Sequence, residues 1–269
     1  MIMGIDVGYS HTKVFTKKGK DIFLSTIEEG INEINKRAIK VEYAGKEYTI
    51  GEMTGRFSVD LNKINDNTFR LCLFTAIARA MGDDITADIQ LVTGLPVEYY
   101  KTQKQELIES LKGHTENIVL NGKPRRFTIK DVIIFPQSAG LFILNPDNFT
   151  GNNSNIVIDI GGLTVDVSLF NGMTLLKTAT YELGMLKLYD KIVQTIKSQY
   201  GVSYDSLAAE KIIETKTIIK DGTVVDVGSL INTILKSHTE LIIMNIKNGF
   251  KEYDTSVRNF IGGGSYRLK

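Results

Sequence analysis

The stretch NIVIDIGGLTVDVSLFNG, Asn155–Gly172, sets two aspartates around a Gly-Gly turn between two strongly apolar runs. Carboxylates are costly inside runs that otherwise read as buried strand unless something there uses their charge. Asp159 ends the first run, Gly161 and Gly162 form the turn, Thr164 offers a hydroxyl, and Asp166 follows seven residues after Asp159. The turn reverses the chain, so both acids can face one mouth between the strands. One carboxylate can then hold the water shell of a metal ion while the other orients an attacking water. An ordinary polar hairpin is the plainer alternative.

The same theme stands at the other end of the chain. MGIDVGYSHTKVF, Met3–Phe15, again reads strand, acid, glycine turn, strand. After Asp6, the Gly8 turn lets backbone N–H groups approach an anion closely, and Ser10, Thr12 and Lys13 add donors and charge. This is half of a phosphate–magnesium site, or a hairpin with a polar turn. Two acid–glycine hairpins half a chain apart point to an internal duplication. A third glycine site, Gly262-Gly263-Gly264-Ser265, follows the apolar NFI. It is either a backbone platform for a flat ligand or a flexible tail. No G-x-G-x-x-G and no G-x-x-x-x-G-K-[ST] occurs, so neither a Rossmann nor a Walker loop is present.

Around these sites the pattern predicts an α/β chain. Strands are expected at Ile2–Val7, His11–Thr16 and Asp21–Thr26, and a hairpin turns at Ala44-Gly45. Helices are expected at Phe69–Met81, at Thr102–Leu111 with Thr102 as N-cap, at Leu186–Tyr200 and at Ser229–Phe250. Strands follow at Ile89–Leu95, Arg126–Phe135 and Met173–Thr180. A hairpin turns at Asp221-Gly222, and Asn145–Asn155 reads as a loop between lobes.

With 269 residues, 42% hydrophobic and 23% charged, the chain can bury a substantial core in one large domain or two smaller ones. A formal net charge of +1 gives no global attraction for DNA or membrane. A single cysteine, Cys72, excludes an internal disulfide framework and, set among Leu71, Leu73 and Phe74, reads as a small core hydrophobe. The N-terminus lacks the pattern of a signal peptide and no window reads as a membrane span, so a cytoplasmic location is expected. The three histidines, His11, His114 and His238, have no metal-ligand spacing. His238 reads as structural, while His11 sits inside the first phosphate turn. KPRR, Lys123–Arg126, reads as a short solvated basic turn, with a contact to a partner molecule as the alternative.

Taken jointly, the three glycine sites resemble those of the actin-like ATPase superfamily, which includes actin, the heat-shock chaperone ATPases and the sugar kinases. Asp6–Lys13 looks like its first phosphate motif, Asp159–Asp166 like the second and Ile261–Ser265 like the adenosine motif. FPQSAGLF looks like the helix connecting the lobes. TGLPVEYY and IDIGGLTVDVS are similar to the bacterial plasmid-segregation actins, the ParM-like group, and the short length to the AlfA type. The resemblance spans residue 2 to about residue 266. It implies a two-lobed, duplicated ribonuclease H-like fold with nucleotide in the inter-lobe cleft. Lobe I would cover residues 1–144, with a small outer subdomain at about 20–65, and lobe II residues 145–269. Only residues 167–261 separate the second phosphate motif from the adenosine motif, and no helix follows the latter as it does in family members. The outer subdomain of lobe II is therefore expected to be reduced or absent, unless residues 200–230 prove to form a compact one.

The resemblance also implies roles. Asp6 and Asp159 would hold Mg²⁺. Gly8, Tyr9, Ser10, His11, Thr12 and Lys13 would line the β- and γ-phosphates, with Gly161, Gly162, Leu163 and Thr164 opposite. Gln137 and Asp166 would position the hydrolytic water. Gly184 would lie near the nucleotide, Gly262, Gly263, Gly264 and Ser265 would face the nucleoside, and Glu210 and Lys211 would line the base pocket. The implied ligand is ATP or GTP with Mg²⁺. The implied partners are further copies of the chain in a filament and a DNA-binding adaptor on a plasmid centromere-like site, with no membrane and no direct DNA contact. A small-molecule kinase of the same superfamily, of pantothenate or sugar kinase type, is the alternative, although no separate acceptor site is evident. A scaffold that binds nucleotide but barely hydrolyses it is a third reading.

Overall fold

The computed structural model describes residues 1–31, 35, 38–52, 54–57, 66–137, 140–141, 146–149 and 153–268. Residues 58–65 of the expected outer subdomain, and Ser138, Ala139 and Phe142 of the expected connecting helix, lie outside the described residues. So do Asn145 and 150–152 of the expected inter-lobe loop. The chain divides into two compact units, residues 1–140 and 141–269.

In the first unit, β1 (Ile2–Val7) alternates strictly. Met3, Ile5 and Val7 are buried, while Ile2, Gly4 and Asp6 lie on the other face. β2 (His11–Thr16) and β3 (Gly19–Leu24) continue as an antiparallel meander. On its other edge β1 pairs in parallel with β8 (Thr86–Leu95), which pairs in parallel with β10 (Lys123–Pro136). The sheet extends through β9 (Thr115–Leu120), β5 (Ile39–Tyr43), β6 (Lys46–Ile50), β4 (Thr26–Glu29) and β7 (Arg56–Phe57), in the order β3-β2-β1-β8-β10-β9-β5-β6-β4-β7. The Ala44-Gly45 turn has positive φ at both residues (52° and 76°), the geometry of a tight two-residue hairpin.

Helix α1 (Asn67–Ala80) supplies much of this unit's core. Asp66 caps it by accepting the Thr68 N–H at 2.9 Å. Cys72 is wholly buried beside Leu71 and Leu73, and burial pushes its thiol up to about 12, as befits a core hydrophobe. Helix α2 (Val97–Leu111) packs Leu107 and Leu111 into the same core.

Two expectations need correction here. Thr102 is not an N-cap: the helix begins five residues earlier, at Val97, and the Thr102 hydroxyl bonds the Tyr99 carbonyl within it. Pro96, whose fixed φ suits a helix start, and Glu98 in the first turn explain the earlier origin. KPRR is not a solvated turn either, because it opens β10 and pairs with β9 across the tight turn at Asn121-Gly122. Arg125 is 6% exposed and donates to the Gly82 carbonyl just past the end of α1, where a helix favours a cation.

The second unit repeats the opening theme. β11 (Ser154–Ile160), β12 (Val165–Asn171) and β13 (Thr174–Tyr181) form an antiparallel meander, and β16 (Val257–Ile261) pairs in parallel with β11. The order β13-β12-β11-β16 matches β3-β2-β1-β8, strand for strand and direction for direction. The crossover carries α3 (Met185–Tyr200), α4 (Ala208–Thr215) and α5 (Gly228–Gly249). Between α3 and α5 stand only the eight-residue α4 and a hairpin of β14 (Thr217–Lys220) with β15 (Thr223–Asp226), which joins neither larger sheet.

Candidate functional site

The two acid–glycine turns close alike. The Gly8 N–H donates to the His11 carbonyl at 3.1 Å, and the Gly161 N–H donates to the Thr164 carbonyl at 2.9 Å. The register then sets Asp6 opposite Lys13 and Asp159 opposite Asp166. Where the first turn pairs an acid with a lysine, the second pairs two acids, an arrangement that like-charge repulsion disfavours in the absence of a ligand.

In the first unit the Lys13 ammonium lies 3.5 Å from Asp6 Oδ2, with both side chains about half exposed, so this pair is worth at most about 1 kcal/mol. Gln137, at the end of β10, donates from Nε2 to Asp6 Oδ1 at 3.1 Å. Gly94 makes room for it, because a Cβ there would come within 2.9 Å of Gln137 Cγ. His11 Nδ1 and Ser10 Oγ are 3.1 Å apart within the turn. Thr12 faces the other way: it is fully buried and its hydroxyl meets Ser25 Oγ at 2.9 Å. Of the six residues assigned to the first turn, Thr12 thus turns its side chain into the core.

The second unit builds its turn against a helix. The N–H groups of Gly184, Met185 and Leu186 donate to the carbonyls of Leu163, Gly161 and Gly162 at 3.0, 3.0 and 2.8 Å. All three turn carbonyls therefore point at the start of α3. In a trans peptide the N–H points opposite to the C=O, and no cis bond occurs among the described residues. The N–H groups of Gly162, Leu163 and Thr164 consequently point away from α3, as an anion-binding turn requires. The approach is close enough to demand glycine at 184, where an added Cβ would collide with Gly162 O and Leu163 C. His238 of α5 donates from Nε2 to the Leu183 carbonyl at 2.9 Å and holds the same segment; burial pushes its pKa below the ordinary value.

Asp166 is fixed from two sides. Its Oδ2 accepts the Thr164 hydroxyl at 2.8 Å and its Oδ1 accepts the Thr180 hydroxyl at 2.6 Å. On the other flank of Asp159, Ile261 is its register partner in β16. Gly262 follows with φ +83°, and a Cβ there would overlap Asp159 Oδ1. The triple glycine is no loose tail. Ser265 closes it through its N–H and hydroxyl to the Gly262 carbonyl (3.3 and 2.8 Å), and Gly264 is buried against Ile160 and Met185. At Gly263 nothing lies within 4 Å of an added Cβ.

Asp159, Thr164, Asp166, Gly184 and Gly262 thus form one constellation, and Asp6, Lys13 and Gln137 another. Glu210 joins neither directly: it pairs with Arg267, three residues past Gly264, at 2.9 Å, while Glu214 holds the other arm of that guanidinium at 2.6 Å. Lys211, next to it on α4, is exposed. Among the described residues no group of three or more His, Cys, Asp or Glu side chains could cage a metal. Single carboxylates beside anion-binding turns are nonetheless the donor set that suits Mg²⁺, which keeps waters and shares phosphate oxygens. Sequence reasoning missed Gly94, Thr180 and the His238–Leu183 bond, all of which depend on strand register or on packing between distant elements. No helix among the described residues is long and apolar enough to cross a membrane.

Comparison with known proteins agrees with this fold. Residues 4–140 match the family described as actin-like proteins, N-terminal domain. Residues 157–269 match that of the archaeal actin homologue MreB-like, C-terminal. An archaeal actin homologue solved in complex with ADP is 20% identical, with a TM-score of 0.85 over 99% of this chain and 88% of that one. ParM from a 15-stranded filament of Clostridium botulinum is 23% identical, with a TM-score of 0.79 over 99% and 89%. The actin-like protein Alp7A is 15% identical, with a TM-score of 0.78 over 99% and 84%. At these identities the likeness establishes the fold. No curated protein sequence matches the chain. With the first family matched over just more than half of this chain, the chain belongs to the actin-like proteins.

Proposed function

We propose that this protein is a Mg²⁺-dependent nucleoside triphosphatase of the ParM-like kind, whose bound nucleotide gates its assembly into filaments that move plasmid DNA through an adaptor. The observation that carries this reading is the second turn. Its carbonyls are tied to α3, so the N–H groups of Gly162, Leu163 and Thr164 face outward beside two opposed carboxylates. Phosphate oxygens fit those N–H groups. Asp6 and Asp159 would hold the metal, which when bound neutralises charge on the β- and γ-phosphates. Lys13 would add a positive charge at the first turn, and the triple glycine would lie under the nucleoside.

Asp166 and Gln137 then act on water. Asp166, its plane held by Thr164 and Thr180, accepts a water hydrogen and aims the lone pair at the γ-phosphorus. The new P–O bond forms as the bond from that phosphorus to the β–γ bridging oxygen breaks. The nucleoside diphosphate leaves with the bridging electrons, and the water proton passes to phosphate and solvent. Loss of the γ-phosphate removes contacts that favour the assembled state, a population shift between two states. The ADP complex of the archaeal homologue and the ParM filament, each a property of that protein, support extending these roles to this chain. A net charge of +1 agrees with indirect contact to DNA.

The test is phosphate release from ATP and GTP, with Mg²⁺ or with EDTA, for the wild type and Asp166→Ala. Turnover that needs Mg²⁺ and falls by about 100-fold or more in the variant supports the reading. Equal rates in both proteins, or phosphate transferred only to an added pantothenate or sugar, would contradict it.

A further inference from the structure

The two turns serve as internal controls for one another, because the chain carries the same strand arrangement twice. Across the first sheet the row through the site reads Asp6, Lys13, Ile22 on β1, β2 and β3. Across the second it reads Asp159, Asp166, Thr180 on β11, β12 and β13. In the third strand the first unit places an isoleucine, 59% exposed, where the second places a threonine. That threonine donates its hydroxyl to Asp166 Oδ1 at 2.6 Å. The acid on the middle strand and the hydroxyl beside it occur together in one copy, and both are missing from the other.

A single hydroxyl on one carboxylate oxygen leaves the group free to swing about its Cβ–Cγ bond. Two donors on different oxygens, Thr164 on Oδ2 and Thr180 on Oδ1, fix the plane of the carboxylate. Thr164 belongs to the turn itself, whereas Thr180 comes from the neighbouring strand, so it anchors the carboxylate to the sheet. A water-orienting group has to be held close to its productive geometry, since small misplacements cost much of the rate.

We propose that Thr180 is a positioning residue for nucleotide hydrolysis, acting through Asp166 and not through nucleotide binding. This rests on the triphosphatase reading above. The test compares Thr180→Val, which keeps the β-branched shape without the hydroxyl, with Thr180→Ser, which keeps the hydroxyl. Two quantities are read for each: the Kd for Mg-ATP from a fluorescent analogue, and the single-turnover rate of phosphate release. The inference expects Thr180→Val to release phosphate about tenfold or more slowly at a Kd within about twofold of wild type. It expects Thr180→Ser to recover most of the rate. A Thr180→Val rate equal to wild type overturns the inference. So does a Thr180→Ser variant as slow as Thr180→Val, and so does loss of binding in parallel with rate, which would make the residue structural. A wild type that binds Mg-ATP and never releases phosphate contradicts the triphosphatase reading itself, a failure visible before any variant is made.

Discussion

At the scale of single residues the sharpest contrast is between two glycines. A side chain at Gly184 would collide with backbone atoms of the turn it closes, Gly162 O and Leu163 C, and backbone cannot swing aside as a side chain tip can. Gly184→Ala should therefore destabilise the protein by about 1–3 kcal/mol, read from the urea midpoint. Gly263→Ala, with nothing within 4 Å, should stay within about 0.5 kcal/mol of wild type. Equal midpoints for the two variants would contradict the described fit of α3 against the turn. Asp159, Asp166 and the glycines were legible in the sequence because each breaks a local rule: an acid in an apolar run, or glycine where nothing else fits. Thr180 breaks none. One threonine in a strand is ordinary, and its role arises from the register that sets β13 beside β12. Thr12 shows the converse. Its place in the first turn suggested an outward donor, yet the strand alternation that buries Val14 and Thr16 buries Thr12 as well.

At the scale of elements, the joint between α5 and the segment before α3 carries a pH dependence. Burial, helped by nearby Lys187, keeps His238 neutral and its pKa below the ordinary 6.5, against the opposing pull of the Leu183 carbonyl. A depressed histidine contributes stability that is complete above about pH 6.5 and is lost as pH falls towards and through its folded value. Thermal midpoints should therefore drop as the pH is lowered from 7.5 to 5. His238→Gln, which keeps a donor for Leu183 without titrating, should flatten that slope; an unchanged slope would remove His238 from the account. Most elements were readable from period alone, since β1, β2 and β11 bury alternate or continuous apolar residues and α3 has a clear apolar stripe. β9 was not. Its partner residues at the start of β10, Lys123–Arg125, read as a basic turn, which hides the hairpin around Asn121-Gly122 although β10 itself is expected from Arg126. The first turn of α2 was hidden for a related reason: Val97, Tyr99 and Tyr100 favour strands, and Pro96 overrides them.

At the scale of the molecule, the duplication suspected from two short stretches is a shared architecture, with matching strand order, matching directions and matching hydrogen bonds at the turns. The copies have diverged where chemistry would require it, Lys13 in one and Asp166 in the other. This divergence predicts separable defects. Lys13→Ala should weaken Mg-ATP binding, measured by fluorescent-nucleotide titration, whereas Asp166→Ala should bind within about threefold of wild type yet fail to turn over. Variants that lose binding and turnover together in both cases would contradict that division of labour. What the sequence hid at this scale was α4: the interval between α3 and α5 reads only as a hairpin at Asp221-Gly222, whereas the fold sets an eight-residue helix before it and leaves the hairpin outside both larger sheets.

The central claim, that bound nucleotide gates self-assembly, is tested most directly by right-angle light scattering of the purified protein after addition of Mg-ATP, Mg-ADP or neither. The account predicts a rapid rise with Mg-ATP alone, and a rise that persists in Asp166→Ala because assembly would precede hydrolysis and disassembly would follow it. A flat trace with Mg-ATP at high protein concentration, from protein that binds the nucleotide, would contradict it.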